Sequence, residues 1–210
     1  MISEQASSFT GGGVPAGVGP SKALVIGASF GGPRAIGEIL TQLPASFRLP
    51  IAVVQHTTPG MTEIWAGNLS SKCRIPVIEA TAHARFEPGV VHIAPAGLQM
   101  RFAPGARTAM IRLEADRADS RHVPSVDVLF ASAAALFGSA TLAVLLTGLG
   151  RDGAEGMLQV RRAGGYTIAE SEDTALSFGM PGSARDAGGV VEQLPLPAIA
   201  PRIIELAART

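Results

Sequence analysis

The chain has 210 residues, of which 47% are apolar and 16% charged, so we expect one folded domain with a large buried core. Lys plus Arg and Asp plus Glu each number 17, and this lack of a basic surplus argues against a nucleic-acid-binding protein. The single cysteine, Cys73, excludes an internal disulfide and a multi-cysteine metal site. The longest apolar run, residues 140–147, is too short to cross a bilayer, and no secretory signal is recognisable. We therefore expect a soluble, cytoplasmic protein.

Short aliphatic runs alternate with helical patterns along most of the chain. Residues 1–21 are rich in Gly, Ser and Pro and lack hydrophobic periodicity, which predicts a flexible leader before a domain at 22–210. The predicted strands are 23–27, 51–55, 77–79, 90–94, 142–146 and 166–169. The predicted helices are 33–43, 61–69, 125–137, 154–162 and 199–208. Residues 100–103 and 109–113, separated by Pro104-Gly105, predict a β-hairpin.

The strands read as continuous apolar runs rather than as alternating patterns. Such runs indicate strands that are buried on both faces, which is typical of a parallel sheet covered by helices. We therefore predict a doubly wound α/β fold, with a mostly parallel sheet flanked by helices and one inserted antiparallel β-hairpin. Ligands of such folds bind at the carboxyl ends of the strands, near the point where the strand order reverses.

Three polar residues stand where predicted strands end. Ser29 follows the first strand, His56 follows the second, and Asp152 lies in a glycine-rich loop after the strand at 142–146. A serine, a histidine and an aspartate at one edge of one sheet are the parts of a hydrolytic triad. The pattern Gly27-x-Ser29-x-Gly31, between a strand and a helix, also matches a nucleophile elbow.

Other interpretations of these residues are open at this point. The turn at Ser29 is also typical of a plain strand-to-helix connection or a phosphate-binding loop. A dinucleotide site is disfavoured, because it needs glycine at position 29 and an acidic residue at the end of the second strand, where Gln55 and His56 stand. Asp152 could cap the helix that follows it. The order Ser, His, Asp disfavours the ordinary α/β-hydrolase fold, in which the acid precedes the histidine.

Six sequence blocks point to a known family. In chain order they are IGASFGGPRAI, VVQHTTPGMT, GVVHIAPAGLQM, PSVDVLFASAA, LLTGLGRDGAEGM and FGMPGSARDAGGVVEQLPLPAIAPRI. Together they resemble the catalytic domain of the chemotaxis protein-glutamate methylesterases (CheB), over about residues 23–206. The resemblance implies hydrolysis of glutamate γ-methyl esters on chemoreceptor helices, and also deamidation of certain receptor glutamines. It implies no metal and no cofactor.

The resemblance also implies roles for individual residues. Ser29 would be the nucleophile, His56 the base and Asp152 the acid that orients it. The backbone N–H groups of His56 and Leu149 would form the oxyanion hole. The expected elbow and pocket residues are Gly27, Phe30, Gly31, Gly32, Thr57, Gly148 and Gly150.

Two departures from the family pattern leave alternatives. Phe30 stands where the family usually has Thr, directly after the nucleophile. Typical members also carry an N-terminal receiver domain, whereas only residues 1–22 precede the first predicted strand. We therefore expect a stand-alone version or a domain of a longer protein, with a separate response regulator as a candidate partner. A catalytically weak binding module and a hydrolase of a different ester are the alternative functions.

The chain has three further histidines and a basic loop after the predicted hairpin. His83, His92 and His122 are expected to be structural or solvated. His122 lies beside Arg121 in a polar loop that also holds Arg112 and Arg117, and this loop is a candidate contact for an acidic receptor surface.

Overall fold

A parallel β-sheet forms the centre of the computed structural model, which describes residues 23–116 and 121–208. Within these residues the strands are β1 (Ala23–Ala28), β2 (Ile51–Gln55), β3 (Val77–Glu79), β4 (Val91–Ile93), β5 (Gln99–Ala103), β6 (Met110–Glu114), β7 (Thr141–Leu145), β8 (Tyr166–Glu170) and β9 (Glu192–Leu194). The helices are α1 (Gly32–Gln42), α2 (Thr62–Ser70), α3 (Val126–Phe137), α4 (Ala154–Arg162), α5 (Gly179–Asp186) and α6 (Leu196–Ala208), and a 3₁₀ turn spans Gly138–Ala140. The predicted leader at 1–21, and Arg117, lie outside the described residues.

The sheet has the topology of a doubly wound fold. Seven of the described strands pair in parallel in the order β3-β4-β2-β1-β7-β8-β9, while β5 and β6 form a separate antiparallel hairpin. The predicted fold class is confirmed. The chain winds outward from β1 in one direction through β2 and in the other through β7, so the strand order reverses at β1. The edge beyond β1 is therefore where a ligand site is expected.

Alternate side chains of the central strands bury two separate apolar layers. Leu24 and Ile26 of β1 pack in one cluster with α1, α2 and α6, and Ala23 and Val25 pack in the other with α3, α4, α5 and the hairpin. All six residues of β1 are buried, as expected for a strand with helices on both faces. None of the helices in the described ranges combines the length and hydropathy that a membrane span requires.

Two elements were absent from the sequence prediction. Helix α5 begins Gly-Met-Pro-Gly, and Gly and Pro are the weakest helix formers, so local preference does not indicate this helix. It is stabilised instead by packing, since Met180 and Ala184 are buried. Strand β9 has only three residues, none of them buried, and pairs with β8 at the end of the sheet. Its polar sequence carries no buried-strand pattern.

Candidate active site

The loops that follow β1, β2 and β7 meet at the carboxyl edge of the sheet. Ser29 follows β1 directly, His56 follows β2 directly, and Asp152 lies in the loop between β7 and α4. Because β1 pairs with β2 on one side and with β7 on the other, the turn that carries Ser29 lies between the ends of the other two strands. The structure thus brings the three predicted residues to one edge.

The turn around Ser29 is held by main-chain bonds. The Ser29 N–H donates to the Thr147 carbonyl (3.0 Å), and the Gly32 N–H donates to the Ser29 carbonyl (2.8 Å). Gly31 has a φ of 84°, a left-handed conformation that glycine adopts without steric cost. A Cβ at Gly148 would lie 2.8 Å from the Ser29 Cβ, so this glycine allows the loop after β7 to approach the serine. These contacts support the elbow interpretation of the turn.

Gly27 and Gly32 leave room for neighbouring side chains to pack against the elbow. A Cβ at Gly27 would overlap Val126 of α3, and a Cβ at Gly32 would overlap the Gln55 side chain. Gly150 instead has a φ of 83° with open space around it, so its role lies in the backbone conformation of the loop before Asp152.

His56 and Asp152 form a short hydrogen bond. The distance from His56 Nε2 to Asp152 Oδ2 is 2.7 Å, and only 13% of the histidine side chain and 6% of the aspartate side chain are exposed. The other ring nitrogen, Nδ1, is therefore the one available for proton exchange with a substrate-facing group. Among the described residues no hydrogen bond joins Ser29 Oγ to the His56 ring, although such bonds often tighten only when substrate is bound.

Asp152 is anchored at the N-terminus of α3. Its Oδ2 also accepts the Val126 N–H (2.7 Å), and its Oδ1 accepts the Ser125 hydroxyl (2.8 Å) and the Asp127 N–H (3.0 Å). Burial alone would raise the pKa of Asp152, but the hydrogen bonds from His56, Asp127, Val126 and Ser125 hold it well below its usual range. The carboxylate is therefore ionised at neutral pH. Asp152 caps a helix, as one interpretation foresaw, but the helix is α3 rather than α4.

Asp127 is a second carboxyl beside Asp152. Burial and the neighbouring Asp152 charge raise the pKa of Asp127 to about 6, although a hydrogen bond from the Gly156 N–H (2.7 Å) opposes the shift. The two acidic groups thus have opposite shifts, and Asp152 keeps its charge to a lower pH than Asp127 does.

His122 contacts His56 directly. The two imidazole rings are stacked, with centroids 4.2 Å apart and planes 8° from parallel. The expectation that His122 is merely structural or solvated is therefore incomplete, because this half-buried side chain covers one face of the candidate base.

The two expected oxyanion donors differ in their bonding. The His56 N–H donates to the Ala28 carbonyl (3.1 Å), so it already takes part in the β1–β2 pairing and would have to exchange that bond for a substrate oxygen. The Leu149 N–H has no hydrogen-bond acceptor within the described residues, and neither has the N–H of Phe30, which directly follows the nucleophile. The Leu149 and Phe30 side chains are 63% and 55% exposed.

The sequence of the chain is similar to that of a known protein family. A family model described as CheB methylesterase matches residues 24–203. The chain belongs to the CheB methylesterase family.

Individual CheB relatives agree with this assignment. The chain is 41% identical to "Protein-glutamate methylesterase/protein-glutamine glutaminase 1" of Carboxydothermus hydrogenoformans, over 97% of this chain and 62% of that protein. It is 44% identical to a protein of Bordetella avium with the same name but numbered 2, over 87% and 52%. The chain thus spans about half to three-fifths of the length of these curated relatives. The crystal structure of the Thermotoga maritima CheB methylesterase catalytic domain matches with a TM-score of 0.85 and 38% identity, over 88% of this chain and 98% of that one.

Two buried side chains of this CheB domain were missed in the sequence. The Gln55 amide donates to the carbonyls of both Ser29 and His56 (2.9 Å each), so it ties the two loops together. Glu170 accepts the Thr147 N–H (2.9 Å) and so supports the residue whose carbonyl binds the Ser29 N–H. Burial raises the pKa of Glu170. The sequence feature that could have revealed Gln55 and Glu170 is their position, since each is the last residue of a strand at this edge.

A cavity of about 410 Å³ opens beside Asp152. It is lined by Arg121, His122, Ser125, Asp127, Gly150, Arg151 and Asp152. Thr57, an expected pocket residue, is half-buried directly after His56, but it does not line this cavity. Within the described ranges, no group of three His, Cys, Asp or Glu side chains is arranged to hold a metal ion.

Proposed function

We propose that this chain is a serine ester hydrolase that removes methyl groups from glutamate γ-methyl esters of chemoreceptors. The observation that carries the proposal is the 2.7 Å bond between His56 and Asp152, beside the elbow of Ser29, in a chain of the CheB family. The relatives named above are called methylesterases and glutaminases, so hydrolysis of receptor glutamine amides at the same site is part of the proposal.

The proposed reaction uses the three residues in two steps. Ser29 Oγ bonds to the ester carbonyl carbon while its proton passes to His56 Nδ1, and Asp152 stabilises the resulting imidazolium. The bond to the methoxy oxygen then breaks, and His56 returns the proton to that oxygen, so methanol leaves. In the second step a water molecule gives a proton to His56 as its oxygen bonds to the acyl carbon. The bond from that carbon to Ser29 Oγ then breaks, and His56 returns the proton to Ser29 Oγ. The glutamate carboxylate is released and the enzyme is restored.

The developing oxyanion needs hydrogen-bond donors at the elbow. We propose the Leu149 N–H as one donor, because it has no competing acceptor in the described parts of the chain. The Phe30 N–H, in the turn before α1, is a second donor without an acceptor among the described residues, and the His56 N–H can join only by releasing the Ala28 carbonyl. Loss of one such donor typically costs about 10²–10³ in rate.

The setting of the activity follows from the substrate. Residues 22–210 would act as the catalytic domain on the cytoplasmic helices of chemoreceptors, which places the protein in the cytoplasm. A separate response regulator is the proposed controlling partner. Neither a metal nor a cofactor takes part in the proposed steps.

The test compares the protein with its Ser29→Ala variant. A receptor fragment methylated at glutamate should release methanol with the wild-type chain and not with the variant, while both unfold at the same denaturant concentration. Equal methanol release by both proteins would overturn the proposal. Hydrolysis of p-nitrophenyl acetate or other esters, but not of the receptor fragment, would instead indicate a hydrolase of a different ester.

A further inference from the structure

His122 stacks on His56, and the proposed reaction does not use this contact. The rings are nearly parallel at 4.2 Å, a separation at which the face of one ring covers the face of the other. His56 itself is fixed at only one ring nitrogen, through Nε2 and Asp152. Nε2 lies near the extension of the Cβ–Cγ bond, so a hydrogen bond there restrains rotation of the ring about Cβ–Cγ only weakly, and a contact with the ring face adds to that restraint.

His122 is held in place by the hairpin. The buried Gln99 side chain, at the start of β5, donates to the His122 carbonyl (3.0 Å) and accepts the Ser125 N–H (2.8 Å). The Val123 carbonyl also accepts the Gly97 N–H (3.1 Å). The segment from His122 to Ser125 is therefore fixed to the start of β5 and to the chain that leads into it.

The electrostatic surroundings keep His122 neutral at neutral pH. Burial lowers the pKa of His122, the neighbouring His56 and Arg121 lower it further, and Asp152 partly opposes them. The charged and titratable groups that face His122 from the elements around it are His56, Arg121, Asp127, Arg151 and Asp152. A neutral imidazole presents a π face that attracts a cation, whereas a protonated one would repel it.

We propose that His122 is a positioning residue for the reaction: its neutral ring fixes the plane of His56 so that Nδ1 faces Ser29, and it stabilises the imidazolium that forms there. This inference rests on the proposed function for its effect on rate. The stacking itself does not depend on that function and can be measured separately. Gln99 acts one step further away, by holding the His122 backbone.

The test uses two substitutions and a matched control. His122→Ala removes the ring, and His122→Phe keeps a ring that cannot be protonated. His83→Asn removes an exposed histidine that lies outside the cavity, at a position with a φ of 63° that asparagine tolerates. We expect His122→Ala to lower kcat/KM for p-nitrophenyl acetate roughly two- to tenfold, which corresponds to the loss of one stacked ring pair. His122→Phe should restore most of the rate, and His83→Asn should match the wild type.

The pH profile separates positioning from a structural role. As the pH falls below the ordinary histidine range, His122 of the wild type becomes protonated and opposes the imidazolium of His56, whereas Phe at position 122 does not. The ratio of kcat/KM for His122→Phe to that of the wild type should therefore rise as the pH falls. A constant ratio would overturn the electrostatic part of the inference. A rate for His122→Phe as low as that of His122→Ala would overturn the stacking part.

A spectroscopic measurement tests the contact without activity. Stacking places the His56 ring protons in the ring current of residue 122, so their NMR shifts should move in His122→Ala and stay displaced in His122→Phe. Unchanged His56 shifts in His122→Ala would overturn the inference, even if the protein proved inactive. Activity that is lost in Ser29→Ala but unchanged in His122→Ala would also overturn it, while leaving the proposed function intact.

Discussion

Replacement of Asp152 by asparagine tests the most heavily bonded group of the site. Each carboxylate oxygen accepts two donors: His56 Nε2 and the Val126 N–H on Oδ2, and the Ser125 hydroxyl and the Asp127 N–H on Oδ1. An asparagine amide has only one oxygen, so its NH₂ group must face one of these pairs. The hydroxyl or the imidazole can switch to accepting, but a backbone N–H cannot. Either orientation therefore leaves one buried N–H of α3 without an acceptor.

The expected loss of stability follows from these contacts. One buried unsatisfied donor costs about 1–3 kcal/mol. Loss of a negative charge at the N-terminus of α3 adds about 0.3–1 kcal/mol. We therefore expect Asp152→Asn to lower the free energy of unfolding by roughly 1–4 kcal/mol at pH 7.

The sign of the pH dependence is set by the depressed pKa of Asp152. Because the folded pKa lies below the unfolded value of about 3.9, the stabilisation by the carboxylate is fully present above that pH and is lost as the pH falls through the folded value. The difference in stability between wild type and variant should therefore be constant between about pH 7 and 8, above the raised pKa of Asp127, and should shrink below about pH 4.

The expected effect on activity is larger. Removal of the orienting acid from a triad costs about 10⁴ in kcat, because the histidine takes the wrong tautomer and orientation. Urea unfolding and methanol release from a methylated receptor fragment measure the two effects, and Asp186→Asn is the matched control. Asp186 is exposed at the end of α5 and pairs only with its neighbour Arg185 in the described contacts. A variant at position 152 with activity within tenfold of the wild type would refute the assigned role of Asp152.

Two further substitutions have defined outcomes. His92→Phe should raise the free energy of unfolding by about 1–2 kcal/mol at pH 7, because both ring nitrogens of His92 are buried without a partner among the described residues. Burial lowers the pKa of His92 to about 4, so as the pH falls the unfolded chain binds a proton at His92 before the folded chain does, and wild-type stability should fall between about pH 6.5 and 4. Urea unfolding should therefore show a larger difference in stability between variant and wild type at pH 5 than at pH 7. An equal difference at both pH values would contradict burial of His92 as the cause. Phe30→Thr should change KM more than kcat and leave stability within about 0.5 kcal/mol. The reason is that Phe30 is 55% exposed, and the hydrogen bond found for it among the described residues, from the Thr147 hydroxyl, goes to its backbone carbonyl. A tenfold change in kcat, measured on the methylated fragment, would show that the ring acts on the chemical step.

The sequence predicted the placement of those candidate site residues whose position depends on the end of a single strand. Ser29 and His56 directly follow buried strands, and the position of a strand end is set by its own apolar run. The fold class followed from the same runs. Helix α5 was missed because tertiary burial of Met180 and Ala184 overrides its Gly- and Pro-rich start.

The contacts that join the loops could not be predicted in this way. Gln99 and His122 are 23 residues apart and are joined by a side-chain bond to a backbone carbonyl, which no periodicity encodes. The stacking of His122 on His56 further depends on how the hairpin packs beside α3. Such residues look like solvated loop positions until the tertiary structure brings them together.

The geometry of the sheet explains why the acid comes from a long loop. The strands that lead to His56 and Asp152, β2 and β7, lie on opposite sides of β1, and neighbouring strands are about 4.8 Å apart, so the ends of β2 and β7 are separated by roughly 10 Å. A residue directly after β7 would lie beside the elbow, but across this gap from the end of β2 and from His56. Asp152 instead stands seven residues beyond Leu145, the last residue of β7 (152 − 145 = 7), and it meets His56 at the N-terminus of α3. That helix supplies three of the four donors to the carboxylate, counting Ser125 as its cap. The order Ser, His, Asp along the chain is therefore a consequence of the strands β1, β2 and β7 that meet at the reversal of the sheet, with α3 fixing the acid.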